Sequence, residues 1–380
     1  MTNTILTQQN KLQEHPEAPK PHRPWWLSSL QFAGTLLLGV CALEAYFNFA
    51  GVGNEEFLQP DSTLGVKHIP GKRVTWRLEG YSNDVLNSQG LRDSEHAIAK
   101  PANTFRIALL GDSATEGMQV PLQDTYGKQL ESLLSKTSDK NIEVINFGCS
   151  SYSNGQETLQ LEQQVAQYKP DLVIMMYNRG DYIENIRDPN TLKAEPRPYF
   201  HMDDAGQNLL QDDTIMKFNA KGFEPNAVLD TLRRNSRIYG VLTHTNLALN
   251  LNEPLYAKTR NSILKLLPGA KEQFKHVQAP YVIKDPWMVT QKVIERANND
   301  CKNMGTKFMV VCFPNNVNET EYSKQIQSLS KQSAEQGFAY LDLTPDYIGS
   351  NAKDLFLKYH FSTAGHTVAA CRIAEKISVK

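Results

Sequence analysis

Phe105-Arg-Ile-Ala-Leu-Leu-Gly-Asp-Ser-Ala-Thr-Glu-Gly117 is the stretch on which the fold turns. Its first half, Phe105 to Leu110, is a short apolar run of the kind that forms a buried strand. The run stops at Gly111, and Ser113 follows two residues later. A Ser just past a strand and flanked by Gly stands in a loop, where its hydroxyl can face a cleft while the backbone stays fixed. That placement suits a nucleophile. It also suits a plain strand-to-helix turn in which Asp112 or Ser113 caps the next helix.

The same rhythm repeats downstream. Apolar runs at Glu143–Phe147, Leu172–Tyr177, Lys307–Phe313 and Ala339–Leu343 read as further strands. Between them, 3.6-residue periodicity predicts helices at Thr125–Lys136, Gly155–Tyr168, Trp287–Asn303 and Glu319–Gln336. A last helix starts near Ser362, a good cap. Strand and helix alternating in this way predict a three-layer α/β/α fold with a central parallel sheet. Ligands of such sheets bind at the carboxyl ends of the strands, where Ser113 lies.

Two regions break the rhythm. Residues 51–100 are punctuated by Gly and Pro and predict irregular structure with short strands such as Val74–Leu78. Residues 182–285 are polar and rich in Asn and Pro, with a hairpin turn at Asp203-Asp204-Ala205-Gly206. They read as an insertion over the carboxyl edge, with local helix expected at Asn226–Val241 and Leu255–Leu266. Tyr182, Tyr199 and Phe200 are either lining residues there or core.

The N-terminus is of another kind. Residues 1–24 are polar and Pro-rich, a composition that favours disorder. Residues 25–49 are largely apolar and near the length of a bilayer-spanning helix. Trp25 and Trp26 at one end and Tyr46 and Phe47 at the other suit the two interfaces. A buried core helix and a cleaved signal peptide are the other readings. Lys11, Lys20 and Arg23 precede the span, and Lys67 is the first basic residue after it. This bias keeps the N-terminus cytoplasmic and exports the remainder to the periplasm or beyond.

A net charge of −1 gives no argument for nucleic acid. No phosphate loop, Cys-x-x-Cys or His-Glu-x-x-His motif occurs, so neither cofactor nor metal is expected. The cysteines outside the span, Cys149, Cys301, Cys312 and Cys371, match no metal spacing. Cys301 and Cys312 are a conceivable disulfide in an oxidising compartment.

A Ser nucleophile needs a base, usually His. Tyr359-His-Phe-Ser-Thr-Ala-Gly-His366 supplies two. His360 precedes the last helix, at the carboxyl edge, whereas His366 falls in that helix's first turn and faces packing or solvent. His360 is therefore the better base.

Together these segments resemble the SGNH hydrolases, also called GDSL esterases and lipases. Phe105 to Gly117 with Gln119-Val-Pro-Leu122 is similar to their first block, and Val144-Ile-Asn-Phe-Gly-Cys-Ser-Ser-Tyr152 to the second. Pro170-Asp-Leu-Val-Ile-Met-Met-Tyr177 with Gly180-Asp181 resembles the third, and His360 to His366 the last. Asn87-Ser-Gln-Gly-Leu-Arg-Asp93 and Arg233-Arg-Asn-Ser-Arg-Ile-Tyr239 resemble segments of membrane-anchored bacterial members. The resemblance implies a flavodoxin-like sheet, Ser113 as nucleophile and His360 as base. It also implies an oxyanion held by backbone N–H groups of Ser113 and the second-block residue, plus a third-block Asn.

Three positions depart from the pattern. Ser151 stands at the second-block Gly, and Gly180 at the third-block Asn, with Asn178 two residues earlier. Leu357 and Lys358 occupy the place of the acid, leaving Asp354 as the nearest carboxylate, then Asp346 and Asp342. The expectation is a tail (1–24), an anchor (25–49), an irregular lead-in (50–104) and a hydrolase-like domain (105–380). Its expected activity is ester hydrolysis or O-acyl transfer on an acylated small molecule, lipid or polysaccharide. The alternative is a catalytically impaired relative that binds an envelope glycan or lipid in the same cleft.

Overall fold

The computed structural model describes residues 24–53, 57–187, 197–216, 231–232, 235–241, 281, 283, 285–314, 320–348, 352–377 and 379. The chain divides into two compact units, Met1–Tyr46 and Phe47–Lys380. Helix α1 (Trp25–Ala50) has 26 residues, none of them buried. At 1.5 Å per residue it runs about 39 Å, more than a hydrocarbon core requires. It is long and apolar enough to cross a membrane.

The second unit is built on strands β1 (Thr104–Leu110), β2 (Asn141–Asn146), β3 (Leu172–Tyr177), β4 (Lys307–Cys312) and β5 (Ala339–Asp342). They form one parallel sheet in the order β5-β4-β3-β1-β2. Every residue of β1 and of β3 is buried, as a sheet covered on both faces demands. The two-residue period divides their side chains between two apolar layers. Phe105, Ile107 and Leu109 pack with Ile174 and Met176 against Tyr126, Leu130, Ala369 and Ile373. These belong to α3 (Tyr126–Ser135) and the C-terminal helix. Ala108 and Leu110 pack on the opposite face with Val173, Met175, Val310, Ile294 and Leu329.

The helices are α2 (Ser113–Glu116), α3, α4 (Asn154–Gln160), α5 (Asp181–Glu184), α6 (Pro286–Asn303), α7 (Thr320–Gln336), α8 (Ala352–Leu355) and α9 (Thr363–Lys376), with a further helical stretch within 231–241. The expected helix Gly155–Tyr168 is not regular throughout. After Gln160 it passes into a π turn, Leu161–Val165, and a 3₁₀ turn, Ala166–Tyr168. The wider turn shifts the register, and Leu161, Val165 and Tyr168 all reach the core.

The chain reverses direction across the sheet between β1 and β3. β2 lies to one side of β1 and β3 to the other. A crevice at such a switch point is where doubly wound sheets bind ligands. The hairpin expected at Asp203–Gly206 joins Tyr199–Met202 to Leu209–Asp212. Tyr199 and Phe200 are buried core residues of that insertion. The candidate helix Leu255–Leu266 lies outside the described residues, as does the first part of Asn226–Val241. Cys301 and Cys312 are separate buried thiols.

The lead-in residues belong to the same compact unit as the sheet. Arg92 is fully buried, and its guanidinium donates to the carbonyls of Glu116, Gly117 and Val120. It therefore fixes the turn that follows α2. An antiparallel hairpin pairs Arg73–Trp76 with Ser82–Val85, so residues 77–81 form its connecting loop. That loop is tied to the same turn, because Tyr81 N–H donates to Gln119 O and Ser82 Oγ to Met118 O.

Candidate active site

The position of Ser113 is set by capping. Asp112 Oδ1 accepts from Ala114 N–H at 2.8 Å and starts α2. Gly117 ends the helix with φ +70°. Ser113, the first helical residue, is half-buried at the carboxyl end of β1. The cap of this turn is Asp112, which leaves the Ser113 hydroxyl outside the cap.

His360 meets Ser113 there. Its Nε2 lies 2.9 Å from Ser113 Oγ. Its Nδ1 lies 2.8 Å from Glu79 Oε2. A carboxylate only accepts, so Nδ1 carries the proton and donates to Glu79. The neutral ring then leaves Nε2 as acceptor for the Ser113 hydroxyl. Glu79 is itself fixed: its Oε1 accepts the backbone N–H groups of Lys358, Tyr359 and His360 at 2.5, 2.5 and 3.0 Å. Burial opposes its charge, but the Tyr359 N–H and the His360 imidazole outweigh it and hold the carboxyl below its ordinary range.

The carboxylate that meets His360 therefore comes from the hairpin loop, 281 residues earlier in the chain. Asp354 is exposed on α8, and its backbone carbonyl accepts from Ser362 Oγ. Asp346 pairs with Arg372, and Asp342 accepts from Thr344 N–H. Sequence reasoning looked for the acid next to the His and missed Glu79. The one local signal is Gly80. Its φ is +71°, and a Cβ there would stand 2.0 Å from Gln119 O. Only glycine lets the Glu79 turn press this closely on the loop behind the nucleophile.

His366 is buried, not facing solvent, and its Nδ1 accepts from Tyr126 N–H at 3.1 Å. Burial, with the nearby charges of Arg92 and His360, pushes its pKa down from 6.5 to about 3. A depressed His pKa means that the unfolded chain binds a proton that the folded one refuses. Stability is full above pH 6.5 and falls as the pH drops toward 3, by up to about 1.4 kcal/mol per pH unit. We expect melting temperature to decline between pH 6.5 and 5, and the decline to flatten in His366→Gln, whose amide oxygen keeps the Tyr126 contact. An equal slope in both proteins would show that other groups control acid stability.

The second-block loop packs against the turn that carries Ser113, with Cys149 N–H donating to Gly111 O and Ser150 N–H to Glu116 Oε1. Ser151 has φ +67°, the left-handed conformation that a glycine adopts without cost. Among the described residues no acceptor meets its N–H. Ser151→Gly should therefore keep turnover and raise stability by up to about 1 kcal/mol, seen as a higher urea midpoint. A lowered midpoint would show that the Ser151 side chain supports the loop.

Asn178 follows β3, and its Nδ2 donates to Asp112 Oδ2 at 2.9 Å. Gly180 precedes α5 without any side-chain donor. Behind them lie the buried carboxyls of Asp181 and Glu157 and the half-buried one of Asp112. Burial and then their mutual repulsion push Asp181 and Glu157 well above the ordinary carboxyl range. Burial also raises Asp112.

The GDSL-like lipase/acylhydrolase family matches residues 109–368. No curated protein matches the chain. Among solved structures, a protein of the G-D-S-L family from Desulfitobacterium hafniense is 11% identical, with TM-score 0.39, covering 72% of this chain and 99% of its own. A catalytic mutant of an acetylxylan esterase from Geobacillus stearothermophilus is 12% identical, with TM-score 0.39, covering 73% and 95%. A family 3 carbohydrate esterase from Clostridium thermocellum is 14% identical, with TM-score 0.38, covering 72% and 94%. The family match spans more than half of the sequence, including the Ser113 turn and His360, so this chain belongs to the GDSL-like lipase/acylhydrolase family.

Proposed function

We propose that the protein is a membrane-anchored, exported ester hydrolase or O-acyltransferase that works through a Ser113–His360–Glu79 triad. The observation that carries this reading is the continuous chain from Ser113 Oγ to His360 Nε2 at 2.9 Å and from His360 Nδ1 to Glu79 Oε2 at 2.8 Å. Ser113 Oγ attacks the ester carbonyl carbon while its proton passes to His360 Nε2. Glu79 offsets the charge of the imidazolium. The backbone N–H groups of Ser113 and Ser151 receive the oxyanion. Asn178 uses one amide N–H on Asp112 and offers the other as a third donor. Collapse releases the alcohol, which takes the proton from His360 and leaves an acyl-Ser113. Water or a sugar hydroxyl, deprotonated by His360, then takes the acyl group.

The substrates this favours are acylated small molecules, lipids or polysaccharides, with the insertion over the sheet edge shaping the choice. A binding-only descendant is favoured by the missing third-block Asn and by the lack of an acid beside the His; Glu79 against His360 Nδ1 weighs against the second of these grounds. Helix α1 serves as the anchor, with the basic residues Lys11, Lys20 and Arg23 held in the cytoplasm.

Detergent-solubilised full-length protein should hydrolyse aryl esters of short or long acyl chains. A sugar acceptor should divert product from free acid to sugar ester if transfer is the reaction. No turnover of any ester would overturn the enzymatic reading. In spheroplasts, added protease should digest the hydrolase domain. Protection until the membrane is broken would reverse the topology.

A further inference from the structure

Beneath the catalytic turn lies a second cluster that the ester chemistry does not use. His68 ends a short strand, Gly65–His68, of the lead-in. Glu116 is the last residue of α2, three after the nucleophile. Cys149 sits in the second-block loop, two residues before Ser151. All three are buried, and one ligand atom from each lies within 4.8 Å of the other two. His68 Nε2 is 2.5 Å from Glu116 Oε1, and Ser150 Oγ donates to Glu116 Oε2.

An ion pair of His68 with Glu116 would need no third partner. Here a thiol converges on the same point, and nitrogen, sulfur and carboxylate oxygen are the donors that a borderline divalent cation takes. A cavity of about 380 Å³ reaches the cluster, with His68, Cys149, Tyr152 and Lys67 among its lining residues. It gives an ion a way in and a water a place as fourth ligand. With bonds of about 2.0–2.3 Å, tetrahedral ligand atoms stand roughly 3.3–3.8 Å apart. The His68–Glu116 contact must open slightly and the longest separation close slightly, shifts of about 1 Å.

We propose that His68, Glu116 and Cys149 form a binding site for a zinc-class divalent cation, with a solvent molecule from the cavity as the fourth ligand. Binding displaces the thiol proton of Cys149 and frees His68 Nε2 from Glu116. The ion would staple together the lead-in, the nucleophile helix and the oxyanion loop, the three segments that must hold their register around Ser113.

The test is a titration of chelator-treated full-length protein with Co²⁺, a coloured substitute for zinc. One equivalent should bring up a thiolate-to-cobalt absorption band, which Zn²⁺ then displaces. Zn²⁺ should also raise the melting temperature. Cys149→Ser should lose the band. His68→Gln should weaken cobalt binding at least tenfold, since loss of even an outer-shell partner costs about 10- to 100-fold. No band in the unaltered protein overturns the site, as does a band that persists in Cys149→Ser. Should Cys149→Ser fail to fold, unchanged affinity in folded His68→Gln overturns it equally.

Discussion

Glu79→Gln is expected to lower kcat for ester turnover by about ten-thousandfold with little change in fold. The substitution keeps Oε1, so the backbone N–H groups of Lys358, Tyr359 and His360 retain their acceptor. What changes is the group facing His360 Nδ1. An amide NH₂ there can only donate, so the ring must turn its lone pair to Nδ1 and carry its proton on Nε2. The imidazole then donates toward Ser113 instead of accepting from it, and no base remains for the nucleophile. Asp354→Asn should change kcat less than about tenfold, because its carboxylate is exposed on α8 and makes no contact with His360 among the described residues. Steady-state kinetics on one aryl ester decide the matter. A large loss from Asp354→Asn with near-normal Glu79→Gln would invert the assignment.

Ser113→Ala and His360→Ala should each lower kcat by at least about a thousandfold, and the double variant should be hardly worse than either. The two groups act as one unit across their 2.9 Å contact, so removing either removes the function of both. Melting temperatures should stay near that of the unaltered protein, because both side chains are partly exposed at the sheet edge. Losses that multiply in the double variant would show that the two residues act separately.

The sheet was legible in the sequence for a simple reason. The central strands β1 and β3 are buried on both faces and so are written as runs of apolar residues, such as Leu172 to Tyr177, ended by polar or turn residues. All five predicted strands lie within two residues of the observed ones. The break after Gln160 was not legible, because a π turn leaves the composition unchanged and alters only the register. Ser113 and His360 could be picked out because strand order brings both to one edge. Glu79 could not. It lies in a loop with no periodicity, and the meeting with His360 depends on how a hairpin folds back over the sheet. The His68, Glu116 and Cys149 cluster escaped for the same reason. Its members come from three distant segments, and cysteine spacing carries no trace of it.

The most direct test of the triad is the reaction of folded full-length protein with a fluorophosphonate, followed by mapping of the adduct by mass spectrometry. A single covalent adduct is expected on Ser113, formed rapidly in the unaltered protein and far more slowly in Glu79→Gln. No adduct on Ser113, or equal rates in the two proteins, would contradict the triad.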